Sequence, residues 1–198
     1  MLLEDTLRER GHRLILASQS PRRRELMTEC GFEFRTVKYD VDEIYPTTTP
    51  AAEVAEYLAK LKSEGYPERL SEGEILITAD TVVVLGDRVL GKPKDGHEAH
   101  EMLRALSGTT HEVITGVALR SATDSRSFSS STQVRFATLS ESQIAHYIER
   151  YSPFDKAGSY GIQEWIGYVG IESIEGSFYN VMGLPIQRLY SELALFIG

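Results

Sequence analysis

Leu14-Ile15-Leu16-Ala17-Ser18-Gln19-Ser20-Pro21-Arg22-Arg23-Arg24-Glu25-Leu26 reads as an apolar strand, a short turn and the start of a helix. Ser20 fits the N-cap, Pro21 fits the first helical position, and Gly31 would close the helix. The three arginines do not fit. They occupy the first turn, where the helix dipole disfavours cations by roughly 0.3–1 kcal/mol each. An anion bound there reverses the sign, because free N–H groups and guanidinium forks converge on it. Two readings stand, a solvated basic turn and a phosphate site, and the second accounts for the arginines.

Working outward, Arg13–Ala17 is a strand, Pro21–Cys30 a helix and Phe32–Val37 a second strand, followed by an acidic loop from Tyr39 to Pro46. Thr49-Pro50 opens a helix with the apolar stripe Ala51, Val54, Ala55, Leu58 and Leu61, stopped by Gly65. Glu74–Leu85 is a long strand pattern, and Gly86-Asp87 turns it back into Arg88–Leu90. Asp95 caps a helix ended by Gly108. His111–Arg120 and Ser127–Thr138 are strands, and Ser140 with Gln143 forms a capping-box signature. A Gly-rich segment, Pro153–Gly161, precedes strand-like Trp165–Ile174 and Ser177–Val181; Pro185–Ile197 is an amphipathic helix. Early alternation of strands and helices together with hairpins predicts an α/β fold with a mixed sheet flanked by helices.

The 198 residues suit one α/β domain or two closely joined lobes. A net charge of −8 argues against broad nucleic-acid binding, which wants a basic face, and makes local basic clusters more telling. The single cysteine, Cys30, excludes an internal disulfide framework and suits a reducing cytoplasm. No apolar run approaches membrane-spanning length, and Met1 to Arg13 is too charged for a signal peptide. These features predict a cytosolic protein.

Asp80 interrupts a run of Ile, Leu and Val in a central strand. An ionised carboxylate there pays several kcal/mol of desolvation unless a cation, a metal or donors compensate, which points to a general base or metal ligand. Lys62 borders the apolar stripe of its helix, where its ammonium either snorkels outward or serves a site. Gly91-Lys92-Pro93-Lys94 follows a strand. Pro93 in place of Ser or Thr rules out a Walker loop, yet Lys92 remains a phosphate-binding point charge at a strand end. Asp40, Asp42 and Glu43 offer oxygen ligands of the kind Mg²⁺ takes, or form a solvated loop. His97-Glu98-Ala99-His100 falls one residue short of the zinc-protease pattern and reads as surface.

Ser18–Arg23, Asp42-Glu43, Ala79-Asp80-Thr81, Gly91-Lys92-Pro93, Leu106-Ser107-Gly108 and Asp155–Gln163, taken in order, resemble the Maf family of nucleoside triphosphate pyrophosphatases. The resemblance runs from about Arg13 to Leu195 and treats residues 1–198 as a single Maf-like α/β domain. It implies two lobes about a central cleft, related to inosine triphosphate pyrophosphatases, and hydrolysis between the α- and β-phosphates with a divalent cation, Mg²⁺ or Mn²⁺. It further implies that Asp80 is the catalytic carboxylate and proton acceptor, that Ser18, Arg23, Glu43, Lys62 and Lys92 line the cleft, and that Arg22, Thr81 and Gln163 bear on base selection. Glu43 and Asp80 are the implied metal ligands. The Tyr160-Gly161-Ile162-Gln163 form and the run Gly176–Pro185 resemble the subgroup acting on dTTP and UTP more than the one acting on 7-methyl-GTP. A homodimer is the implied assembly. Two departures stand out: Ser63 follows Lys62 where the family usually has Ala, and Met27-Thr28 stands where a second Leu is common. A non-catalytic nucleotide-binding regulator of cell division would use the same cationic residues, but it has no need of an ionised acid in an apolar strand.

Overall fold

A computed structural model describes residues 2–198. In chain order it contains α1 (Leu3–Glu9), β1 (Arg13–Ala17), α2 (Pro21–Glu29), β2 (Phe34–Val37), α3 (Ala51–Glu64), β3 (Glu74–Leu85), β4 (Arg88–Leu90), α4 (Gly96–Leu106), β5 (Thr110–Arg120), β6 (Ser125–Phe136), α5 (Glu141–Tyr151), a 3₁₀ turn (Ala157–Ser159), α6 (Trp165–Gly170), β7 (Ile171–Glu175), α7 (Phe178–Met182) and α8 (Ile186–Ile197). Among the described residues the strands form one seven-stranded sheet in the order β2-β1-β3-β5-β6-β7, with β4 paired on β3. β1 runs parallel to β2 and β3, whereas β3–β4 and β6–β7 are antiparallel, so the sheet is mixed as predicted. No helix among the described residues is long and apolar enough to cross a membrane.

The chain groups into two compact units. One comprises the chain up to Asp80 with Thr115–Ser130 and Gly183–Gly198; the other comprises Thr81–Ile114 and Ser131–Met182. In the first unit, β1 and β3 are buried on both faces (Ile15, Leu16, Leu76 and Ile77 are fully inaccessible), which is why their sequences are continuous rather than alternating. α3 buries Val54, Ala55, Leu58, Ala59 and Ser63. The expected stripe is thus corrected at its edges, since Ala51 and Leu61 are only half-buried. Thr78 Oγ1 donates to the Ala59 carbonyl at 2.7 Å, and Gly116 lies against the Ala55 carbonyl so closely that a Cβ there would sit 2.3 Å from its oxygen. This contact turns the small face of α3, Ala55 and Ala59, inward. Ser63, at 4% exposure, fits where a relative would place Ala because only a small side chain is wanted.

In the second unit, Gly158 adopts φ +66° and packs on Val83, whose Cγ2 a Cβ would approach to 2.7 Å, so only glycine serves there. Its N–H donates to the Gly91 carbonyl at 3.0 Å, tying the Gly-rich segment to the residue before Lys92. Two strand expectations are overturned. Trp165–Gly170 is helical because the Glu164 N–H closes a turn on Gly161 O (3.0 Å) and the Gly167 N–H another on Glu164 O (2.8 Å). Ser177–Val181 coils because Ser177 Oγ accepts from the Asn180 N–H at 3.3 Å, and buried Asn180 donates to Val113 O and Thr132 Oγ1, both at 3.0 Å. Their aromatic and β-branched residues favour strands only weakly, and tertiary contacts decide.

His111 is buried at 3% exposure, with Nε2 2.7 Å from the Tyr160 hydroxyl and its ring edge-on to Phe136 and Tyr160. Burial pulls its pKa from 6.5 down to about 4. The unfolded chain therefore binds the extra proton first as pH falls, so this residue's contribution to stability is whole above about 6.5 and drains away between 6.5 and 4. The loss amounts to about 3 kcal/mol across that window. Urea midpoints at pH 7 and pH 4 are expected to fall further for the wild type than for His111→Gln, and an equal fall in both would refute the assignment.

Candidate active site

The turn between β1 and α2 is built differently from its sequence reading. Ser20 holds the N-cap position, but its hydroxyl makes no cap bond. Buried Ser18 supplies the oxygen instead, accepting from the Ser20 N–H at 3.2 Å and from Arg23 Nη1 at 3.4 Å. Arg23 Nε donates to Gly183 O at 2.7 Å and Nη1 to Ala79 O at 2.9 Å. Burial, the largest influence, lowers the Arg23 pKa; the charges of Asp80 and Glu43 oppose that shift and Arg22 adds to it. The guanidinium keeps its charge, as arginine does in proteins. Arg23 therefore clamps the residue before Asp80 to the turn, and its positive charge belongs to the field of the carboxylates. Arg22 is half-buried in the same first turn, which carries no acid.

Asp80 projects from the end of the unit's stretch of β3 and is 7% exposed. Its carboxylate is ion-paired with the Lys62 ammonium, which also lies 2.8 Å from Glu43 Oε1. The side chains of Asp80 and Lys62 are 10% and 18% exposed and that of Glu43 is 42%, so the cluster opens toward solvent on the Glu43 side. The desolvation foreseen for Asp80 is answered by Lys62 in the last turn of α3, the lysine that borders the apolar stripe of that helix.

Three contacts that sequence reasoning missed hold the acidic loop in place. The Tyr39 hydroxyl donates to the Lys62 carbonyl at 2.5 Å, directly before the acidic run. Burial pushes the Tyr39 phenol up to about 12, so it remains a donor throughout the neutral range. Val41 packs over Gly65, where a Cβ would come within 2.8 Å of Val41 Cγ2. The third is the Glu43–Lys62 bridge itself. The only available signal was the position of an aromatic residue at the head of the loop.

The metal implied by the family resemblance can be tested against this donor set. Among the described residues no three His, Cys, Asp or Glu side chains gather into a metal-binding group. Two carboxylates nevertheless converge on one cation, the ammonium of Lys62, and their hard oxygens match Mg²⁺, which typically takes one or two carboxylates and completes its shell with waters and substrate phosphates. The residues fit a cation shared with a substrate, not a closed protein cage.

The remaining predicted residues belong to the second unit. Thr81 is half-buried and next to Asp80 on β3; Lys92 is exposed just after β4; Gln163 is half-buried beyond the 3₁₀ turn, with Oε1 enclosed and without a hydrogen-bond partner among the described residues. Sequence reasoning also passed over Lys156, whose side chain is 8% exposed and bridges Asp155 at 2.7 Å and Glu164 at 3.2 Å. A lysine inside a Gly-rich segment is usually solvated, and only the fold reveals its burial. His100, read as surface, is half-buried, and its Nε2 lies 2.9 Å from Glu141 Oε2. The Cys30 thiol is pushed up by burial and by Glu4, which suits a packed cysteine.

The mixed α/β sheet presents an Asp–Lys–Glu cluster, buried at Asp80 and open to solvent at Glu43, in the same unit as an arginine-bearing helix start, an arrangement suited to an anionic, phosphate-bearing substrate. The family model described as Maf-like protein matches residues 13–196, and the chain belongs to the Maf family. It is 52% identical over 184 residues to the dTTP/UTP pyrophosphatase of Bacteroides thetaiotaomicron, covering 92% of this chain and 95% of that one. It is 50% identical over 188 residues to the dTTP/UTP pyrophosphatase of Porphyromonas gingivalis (93% and 94% covered) and 42% identical over 196 residues to that of Flavobacterium johnsoniae (99% and 100% covered). Among solved structures, the nucleoside-triphosphatase (dITP/XTP pyrophosphatase) from Mycobacterium abscessus aligns over 93% of this chain and 96% of that one at a TM-score of 0.42 and 12% identity, too distant to bear on the chemistry.

Proposed function

We propose that this chain hydrolyses dTTP and UTP between the α- and β-phosphates, releasing the nucleoside monophosphate and pyrophosphate. The observation that carries the reading is the Glu43–Lys62–Asp80 cluster, two carboxylates meeting at one ammonium, in a chain half identical to relatives named for that activity. Asp80 takes the proton of the attacking water as its oxygen bonds to the α-phosphorus. The bond from that phosphorus to the bridging oxygen breaks, and the electron pair leaves with pyrophosphate. Phosphoryl transfer asks the protein for positioning and charge neutralisation above all. Within the first unit Arg22 serves the phosphates directly, while Arg23 holds Ala79 and Ser18 and contributes its charge from behind. Lys62 neutralises Glu43 and Asp80 and offers its ammonium to a phosphate oxygen on the exposed Glu43 side.

Glu43 and Asp80 would hold Mg²⁺ or Mn²⁺, which supplies charge neutralisation at the phosphates when bound. In the second unit, Gln163 and Thr81 are the residues assigned to the base. Release of pyrophosphate from a panel of dTTP, UTP, CTP, ATP, GTP and 7-methyl-GTP tests the reading. The expected result is turnover of dTTP and UTP well above the rest; preference for 7-methyl-GTP would assign the other subgroup, and binding without pyrophosphate release would leave a nucleotide sensor.

A further inference from the structure

Gln163 raises a question of geometry. An amide side chain carries an acceptor and two donors at nearly the same place, so a glutamine that turns freely greets uracil's N3–H with its oxygen and cytosine's N3 with its nitrogen equally well. Selectivity therefore depends on what holds the residue, not on its identity. In this structure its oxygen is enclosed and has no hydrogen-bond partner among the described residues, whereas the flanking backbone is held, the Gly161 N–H by the Tyr147 hydroxyl and the Glu164 N–H by the Gly161 carbonyl, both at 3.0 Å.

The Tyr147 hydroxyl from α5 does the holding. It accepts the Gly161 N–H at 3.0 Å and donates to Glu164 Oε2, so one phenol grips the chain two residues before Gln163 and one residue after it. The other Glu164 oxygen, Oε1, faces Lys156 Nζ at 3.2 Å, and Lys156 is tied in turn to Asp155. This ion pair lies directly across Gly161, where a Cβ would come within 3.0 Å of both Glu164 Cδ and Lys156 Cε. Tyr147 is wholly buried and its ring stacks on Tyr151 at 5.1 Å. Its phenol pKa is raised by burial first and by Glu164 next, which keeps the proton on the oxygen at working pH.

We infer that Tyr147, Glu164 and Lys156 form a positioning network that fixes the Gly161–Gln163 segment and so enforces the choice of an N3–H base, uracil or thymine, over cytosine. The inference rests on the proposed base-facing role of Gln163. None of the three is among the residues assigned above to the phosphates or to the attacking water. Their loss therefore acts on discrimination between bases and spares the chemistry.

The test uses the full chain with Tyr147→Phe, which removes one oxygen, and Glu164→Gln, which keeps an acceptor for Tyr147 but breaks the pair with Lys156. kcat/KM is measured for UTP and CTP on the same preparation, so that any loss of folded enzyme cancels in the ratio. The UTP/CTP ratio is expected to fall about tenfold in each variant, while kcat on UTP stays within about threefold, since a site built to hydrogen-bond its substrate discriminates through that bond. Gln163→Ala provides the floor. If Gln163→Ala collapses the ratio and both network variants keep it, the network is structural and the inference is overturned. If the wild type does not prefer UTP, or Gln163→Ala leaves its ratio unchanged, the base-facing role itself fails and takes the inference with it. Should Tyr147→Phe not fold, Glu164→Gln and Lys156→Met decide the matter by the same ratio.

Discussion

Asp80→Asn is expected to lower turnover of dTTP by about 10²–10⁴-fold, the usual reach of a general base. The substitution keeps the shape of the side chain in the buried middle of β3, and its amide oxygen can still accept from Lys62. What disappears is the charge and the capacity to take a proton. Lys62 retains Glu43 at 2.8 Å, so the variant leaves no buried ammonium without an anion, and folding should survive. Thermal midpoint and kcat together therefore separate the two roles of Asp80. A protein that melts near the wild-type temperature with strongly reduced kcat and little change in KM places Asp80 in the transition state. A kcat within about threefold of wild type would remove it as proton acceptor, because no structural argument could then hide the missing base.

The sequence made Asp80 conspicuous because a buried carboxylate in an apolar strand breaks a strong local pattern. The same logic exposed β1 and β3 through their continuous apolar runs, and the α2 start through Pro21 at the first helical position, although Ser20 holds the N-cap place without a cap bond. It could not foresee who compensates the charge. Lys62 lies 18 residues earlier on another element, and only the pairing of β3 against α3 brings the two together. Arg23 is instructive for the opposite reason. A helix-start arginine looks like a phosphate ligand, yet its Nε and Nη1 are committed to the carbonyls of Gly183 and Ala79, residues far off in the chain. α6 and α7 escaped because short helices carry too few periods to show in a sequence; α1, among charged residues, escaped for the same reason. The Tyr147–Glu164–Lys156 network escaped because a phenol, a carboxylate and an ammonium are individually ordinary and become a unit only when buried together.

Lys62→Met should separate the neutralising ammonium from the carboxylates it serves. Methionine preserves most of the stem on α3, so the packing of that helix is kept. Glu43 and Asp80 are then left facing each other without the cation that both now contact. Two consequences follow, of opposite sign. Turnover at saturating Mg²⁺ should fall about 10²-fold, the scale for losing one preorganised charge at a phosphoryl or acyl centre. Binding of Mn²⁺ to the substrate-free protein, followed by titration calorimetry, should tighten by about tenfold, or about 1.4 kcal/mol, because no resident ammonium competes for the pair. The variant should melt earlier than wild type in metal-free buffer, from repulsion between the two acids, and recover on adding Mn²⁺. Lys62→Arg keeps the charge and should show neither the tighter metal binding nor the metal-dependent recovery. Unchanged Mn²⁺ affinity in Lys62→Met would mean that the two carboxylates do not share a cation site, and the metal would have to be sought through the substrate phosphates alone.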